Sequence, residues 1–380
     1  MRGLTQSIAA LLAARPALAD MHHIFVSSFT TPQLYSLEFD DQKSTLELSG
    51  NIAAHDGHSW ISFSYDKSAM YAGERDGFAS YAVENSTYLG YRRSIELESG
   101  CQGATKGFKT AYVLPLMKAP FTVYGAPFGN CLNAMSVEPD GTLEDIVQNL
   151  TFKSSTGVQG MSMDPDNNIL YSADDVANGI WAHHVDTESG KLEQVAFAPA
   201  PTEDARPRDL IVHPGGKFLF VVLEAKNEIA VYAINQGQEK SETPITFTGL
   251  TYSLIPQGED PAEYLADEIS ISVNNDVLYA STRHRPNPTR RPRNKRRSGR
   301  NGYVTAILLV PMKESKTPQP NHPQGPGFPL RRLFQVQTST SGGIANTVSP
   351  APWGNEYFAL SDSEVGMVQL TIGRCGKSMA

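Results

Sequence analysis

Short apolar runs with strand character recur along the chain: "HIFVSSF" from His23, "AMYAGER" from Ala69, "TVYGAPF" from Thr122, "ILYSADD" from Ile169, "FLFVVLE" from Phe218, "VLYASTR" from Val277 and "YFALSDS" from Tyr357. The aromatics at Tyr71, Tyr124, Tyr171 and Phe220 are spaced by 53, 47 and 49 residues. A turn rich in Asp, Pro, Gly and Asn precedes most runs, as in "DPDNN" at Asp164, "HPGGK" at His213 and "VNND" at Val273. After each run a polar turn leads to a second strand, for example "NGIWAHHVD" from Asn178 and "NEIAVYAIN" from Asn227. Short alternating strands joined by turn residues predict antiparallel sheet. Repeated at about four strands per unit, they predict an all-β, seven-bladed β-propeller with four-stranded antiparallel blades. A two-sheet sandwich is the alternative, but it has no need of seven periodic units. Helical signal is confined to "PAEYLADEI" from Pro261, where a turn or two is expected.

Three segments break the rhythm. Residues 1–19 combine Arg2, an apolar run and "ALA" before Asp20, the pattern of a signal peptide. The propeller then occupies 20–380 as one domain, with a basic insert at 284–301 and a Pro-rich loop at 311–330. The chain stops at Ala380 soon after "GMVQLTIG", and the resemblance described below implies an incomplete last blade.

Composition narrows the function classes. A net charge of −8 argues against a general nucleic-acid binder, although nine of the 32 Lys and Arg fall between Arg283 and Arg300. That basic run reads as a processing site, a patch for a polyanion, or a solvated loop. No apolar stretch reaches the ~20 residues of a membrane span. Cys101, Cys131 and Cys375 allow one disulfide at most, with one thiol left over. The sequons at Asn85 and Asn149 agree with a secreted protein, the alternative being a cytoplasmic one.

No metal-ligand spacing, phosphate loop or G-x-S-x-G elbow occurs, so no cofactor is implied. Charged residues instead recur beside the apolar runs. Arg208 lies in "ARPRDLIVHP", Glu224 ends "FLFVVLE", Arg283 ends "VLYASTR", and Glu74 and Arg75 end "AMYAGER". Facing a channel, such arginines would fork onto carboxylates and the glutamate would move protons.

The segments "GVQGMSMDPDNNILYSADDVANGIWAH" from Gly157, "RPRDLIVHPGGKFLFVVLEAKNEI" from Arg206, "LYASTR" from Leu278 and "SGGIANTVSPAPW" from Ser341 resemble the fungal carboxy-cis,cis-muconate cyclases, lactonising enzymes among the seven-bladed lactonase-type propellers. The resemblance implies cofactor-free lactonisation, or binding, of a carboxymuconate-like polycarboxylate, with Arg208 and Arg283 on substrate carboxylates and Glu224 as the acidic residue. It also shows departures. Gln159 stands where the family has a catalytic histidine, Ile344 replaces another imidazole, and a His-Pro-Arg element is degraded around "ESGCQGATKG". A cyclase-like activity, reduced or lost, is therefore weighed against a secreted, non-catalytic propeller that binds or serves as a surface antigen.

Overall fold

The structure, a computed structural model, describes residues 20–98, 101, 110–152, 156–235, 245–285, 301–309, 330–363 and 369–374. Residues 1–19, where a signal peptide is expected, most of the basic insert, the Pro-rich loop up to residue 329 and Cys375 lie outside the described residues.

The described strands form seven antiparallel sheets and an all-β propeller. The first sheet has three strands, β1 (Met21–Ser27), β2 (Gln33–Asp40) and β3 (Thr45–Ala53). Four-stranded sheets follow: β4 (Ile61–Phe63) to β7 (Tyr88–Glu96), β8 (Tyr112–Pro115) to β11 (Leu143–Thr151), and β12 (Val158–Met163) to β15 (Leu192–Pro199). Two more run from β16 (Pro207–Val212) through β17 (Phe218–Leu223) to β19 (Ile245–Ser253), and from β20 (Tyr264–Ile271) through β21 (Val277–His284) to β23 (Leu330–Gln337). The last described sheet has three strands, β24 (Asn346–Pro350), β25 (Tyr357–Asp362) and β26 (Gln369–Arg374).

The repeated turns have a common chemistry. Lys67, Asn167, Gly216 and Asn275 all take positive φ, between 60° and 69°, at the same place before the second strand. In each turn that residue's N–H donates to the carbonyl three residues earlier, on Ser64, Asp164, His213 and Ser272. This is the left-handed corner that Gly and Asn enter most easily.

The aromatics of the repeat sit on the second strands and are almost fully buried, from Tyr71 at 2% to Phe220 at 0% exposure. They pack between neighbouring sheets: Tyr171 joins Leu210, Val221 and Tyr232 in one cluster, and Phe220 joins Ile269 and Leu278 in the next.

One expectation needs correction. The apolar runs ending in Glu224 and Arg283 are second strands; the innermost strands are β12, β16, β20 and β24, which contact one another from sheet to sheet. In "PAEYLADEI" the expected turn is present at Pro261–Glu263, a single 3-10 turn capped by Asp260. From Tyr264 it runs extended as β20, because Tyr264, Ala266 and Ile269 are buried between sheets and that packing overrides local propensity.

Among the described residues the first and last sheets share no strand pairing and meet through side-chain contacts. Phe39, Ala351 and Tyr357 form a small cluster with Ile24 and Leu46. The Tyr357 hydroxyl donates to the Asp41 carbonyl at 3.0 Å, and His22 stacks on Trp353 with ring centres 3.5 Å apart.

Candidate active site

Three consecutive inner strands carry a bulge at the same level. The pairing register slips at Gln159 on β12, at Arg208 on β16 and across Asp267 and Glu268 on β20. A bulge re-aims the side chain it carries. Four residues after the buried aromatics Tyr171, Phe220 and Tyr279 come Asp175, Glu224 and Arg283, at the exits of β13 (Ile169–Asp174), β17 and β21. The repeat thus presents two positions per sheet at one end of the channel, and charge fills five of the six.

These side chains converge. Glu224, 1% exposed, receives Arg206 Nη2 on Oε2 at 2.7 Å, and Arg208 Nη1 at 3.3 Å together with Arg283 Nη2 on Oε1. Asp267, fully buried, binds Arg208 Nε, lies 3.5 Å from Arg283 Nε, and accepts the backbone N–H of Asn346 at 2.7 Å. Arg206 also forks onto Asp175, with Nε to Oδ1 at 2.5 Å and Nη2 to Oδ2 at 2.8 Å. Gln159 donates to Asp175 Oδ2 at 3.3 Å.

Arg208, Glu224 and Arg283, singled out from sequence, are therefore in one cluster. Gln159 joins it through Asp175, while Ile344 is 60% exposed at the rim. Sequence reasoning missed Arg206, Asp175 and Asp267. Arg206 stands two residues from Arg208, and Asp175 holds the place of Glu224 one repeat earlier, so the repeat itself carried that signal.

The electrostatics differ from an open cationic pocket. Three guanidinium groups meet three carboxylates, so formal charges of +3 and −3 cancel inside the cluster. Burial opposes the Arg208 charge, but Asp267 and Glu224 more than offset it and hold its pKa above the ordinary value. An anionic ligand must compete with internal carboxylates for these arginines.

Beside the cluster an axial cavity of about 770 Å³ opens. Phe25, Trp60, Phe63, Tyr112 and Ile211 line it. The arginines are not in its wall, but Glu268 is, and Glu268 adjoins Asp267 in the β20 bulge. That bulge joins the ion-pair cluster to the cavity.

The two sequons differ. Asn85 is exposed at the end of β6 (Gly77–Asn85), and its Oδ1 accepts the Thr87 hydroxyl at 3.0 Å. Asn149 Oδ1 instead accepts Asn133 Nδ2 at 2.5 Å and lies 3.4 Å from the sulfur of Cys101, which is disulfide-bonded to Cys131.

Residues 23–289 match the family model described as "Lactonase, 7-bladed beta-propeller". The chain is 28% identical over 365 residues to the carboxy-cis,cis-muconate cyclase of Neurospora crassa, covering 92% of each. It is 27% identical over 375 residues to muconate cycloisomerase 1 of Cutaneotrichosporon cutaneum, covering 92% of this chain and 90% of that protein. The periplasmic gluconolactonase of Pseudomonas aeruginosa superposes with a TM-score of 0.68 at 15% identity, over 94% of this chain and all of the other, a likeness of fold.

Proposed function

Because the chain belongs to the lactonase family of seven-bladed β-propellers, we propose that it closes a lactone ring on a carboxymuconate-like polycarboxylate without a cofactor, at the junction of the arginine cluster and the axial cavity. The seven sheets are read as seven blades, the first and last of three described strands. One observation carries the proposal: Arg206, Arg208 and Arg283, from adjoining sheets, converge on the single carboxylate of Glu224. A substrate carboxylate that enters this array takes over contacts from Glu224 or Asp267, and forked Arg–carboxylate geometry fixes its orientation. In ring closure a held carboxylate oxygen must meet a carbon of the diene, which is a positioning task.

Gln159 holds the place of the family histidine and cannot exchange a proton near neutral pH. Glu224, bracketed by three guanidinium groups, is assigned to holding the arginines in place. The test is turnover of 3-carboxy-cis,cis-muconate by the purified protein. Arg208→Lys keeps the charge but loses the fork, and kcat/KM is expected to fall by ~10²-fold or more. A wild-type protein that leaves the substrate unchanged overturns the reading.

A second reading, a secreted binding protein, is favoured by the Cys101–Cys131 disulfide, which suits an oxidising compartment. In that case the glycan belongs on exposed Asn85 and not on Asn149, whose carboxamide is engaged. Intact mass of secreted protein before and after deglycosylation, with Asn85→Gln and Asn149→Gln variants, decides this; a glycan lost only in Asn149→Gln would reverse the assignment.

A further inference from the structure

Asp209 and Glu268 take no part in the salt bridges of the arginine cluster. They occupy the second bulge position of their strands, as Gly160 does on β12. Asp209 is 2% exposed. Its Oδ2 accepts the Ile269 N–H at 3.0 Å, and the Leu210 N–H also bonds the carboxyl. Glu268 is bonded side chain to side chain with Asp209 and lines the axial cavity. Gly160 makes this arrangement possible: a Cβ there would overlap the Asp209 carboxylate.

We propose that Glu268, hydrogen-bonded to Asp209 between β16 and β20, is the acid that delivers the proton to carbon during ring closure in the axial cavity. This rests on the reaction proposed above. A substrate carboxylate oxygen adds to one end of a conjugated double bond and forms the C–O bond. The π pair moves to the neighbouring carbon, the Glu268 O–H bond breaks, and a C–H bond forms there. Water then reprotonates the pair. A trianion plus one proton becomes a lactone dianion, and nothing is oxidised or reduced.

The surroundings suit a retained proton. Burial raises Asp209 to about 7, and burial followed by repulsion from Asp209 and Asp267 raises Glu268 well above the usual carboxylate range. Of the charged and titratable groups facing the pair, Arg208 on β16 favours ionisation and Asp267 on β20 opposes it. The Tyr112 phenol on β8 is pushed up by burial and by both carboxyls. His23, His58, Lys67, Tyr357 and Asp362 also line the cavity. One protonated carboxyl therefore opens on the cavity near neutral pH, where acid catalysis works best.

The test combines two readouts on folded full-length protein. Infrared titration of the free protein is expected to show protonated carboxyl signals from both groups; the Glu268 signal vanishes in Glu268→Gln, while the Asp209 signal remains and is lost near pH 7. Kinetics in D₂O are expected to show deuterium at the new C–H, with kcat of Glu268→Gln lower by ~10²–10⁴-fold, KM nearly unchanged, and partial rescue by Glu268→Asp. Absence of the Glu268 signal overturns the proton-holding pair whatever the activity. A signal with Glu268→Gln as active as wild type overturns the catalytic role and leaves the proposed reaction standing. An inactive wild type overturns the reaction itself, and the role of Glu268 with it.

Discussion

Glu224 keeps three positive side chains close together, so its replacement has two effects of opposite sign. In Glu224→Gln the arginines lose a buried counter-ion; breaking a fully buried pair costs about 3–5 kcal/mol, less here because Arg206 is partly solvated. The melting temperature is expected to fall. The freed guanidinium groups are expected to bind a saturated tricarboxylate such as tricarballylate more tightly than wild type, as calorimetry would register. Equal or weaker binding would mean that Glu224 does not compete with ligand. Asp209 gives a second prediction. Its folded pKa of about 7 lies above its ordinary 3.8, so the folded state holds the proton more firmly than the unfolded chain. The stabilisation is complete below the ordinary value and is lost as pH rises through about 7. Urea midpoints of wild type are expected to drop between pH 4.5 and 8 by more than those of Asp209→Asn.

At the scale of the element, the left-handed corner before each second strand sets how sheets begin. Asn167 occupies it with φ of 63°, and Asn167→Val places a β-branched residue there at a cost of about 1–2 kcal/mol, measurable as a lower denaturation midpoint. Such corners are why most strands were legible: "DPDNN", "HPGGK" and "VNND" are local signals that neighbouring sheets do not have to supply. The bulged inner strands were not legible in the same way. "PAEYLADEI" has local helical character, and only burial of Tyr264, Ala266 and Ile269 between sheets makes it extended. Nothing local to the segment marks Asp267 and Glu268 as site residues. Arg208, Glu224 and Arg283 could be found because they flank obvious apolar runs, whereas their pairing with Asp175 and Asp267 depends on three sheets meeting in space.

At the scale of the molecule, the ring closes where Phe39 and Tyr357 pack edge to face with centroids 5.0 Å apart, while among the described strands no sheet holds both β1 and β26. Phe39→Ala removes the middle of that cluster, at about 3–5 kcal/mol. Hydrogen exchange is then expected to quicken first in β1–β3 and β24–β26; uniform quickening around the ring would contradict a weak seam. The three bulges have a different consequence. Gln159, Arg208 and Asp267 are interchangeable seats on a common backbone, as are Asp175, Glu224 and Arg283. Swapping acid, base and amide among those seats alters what the channel mouth attracts while the turns and wedges that fold the protein stay the same. Ligand preference in this scaffold can therefore drift by single substitutions, each retuning the recognition surface without a new loop or a new fold.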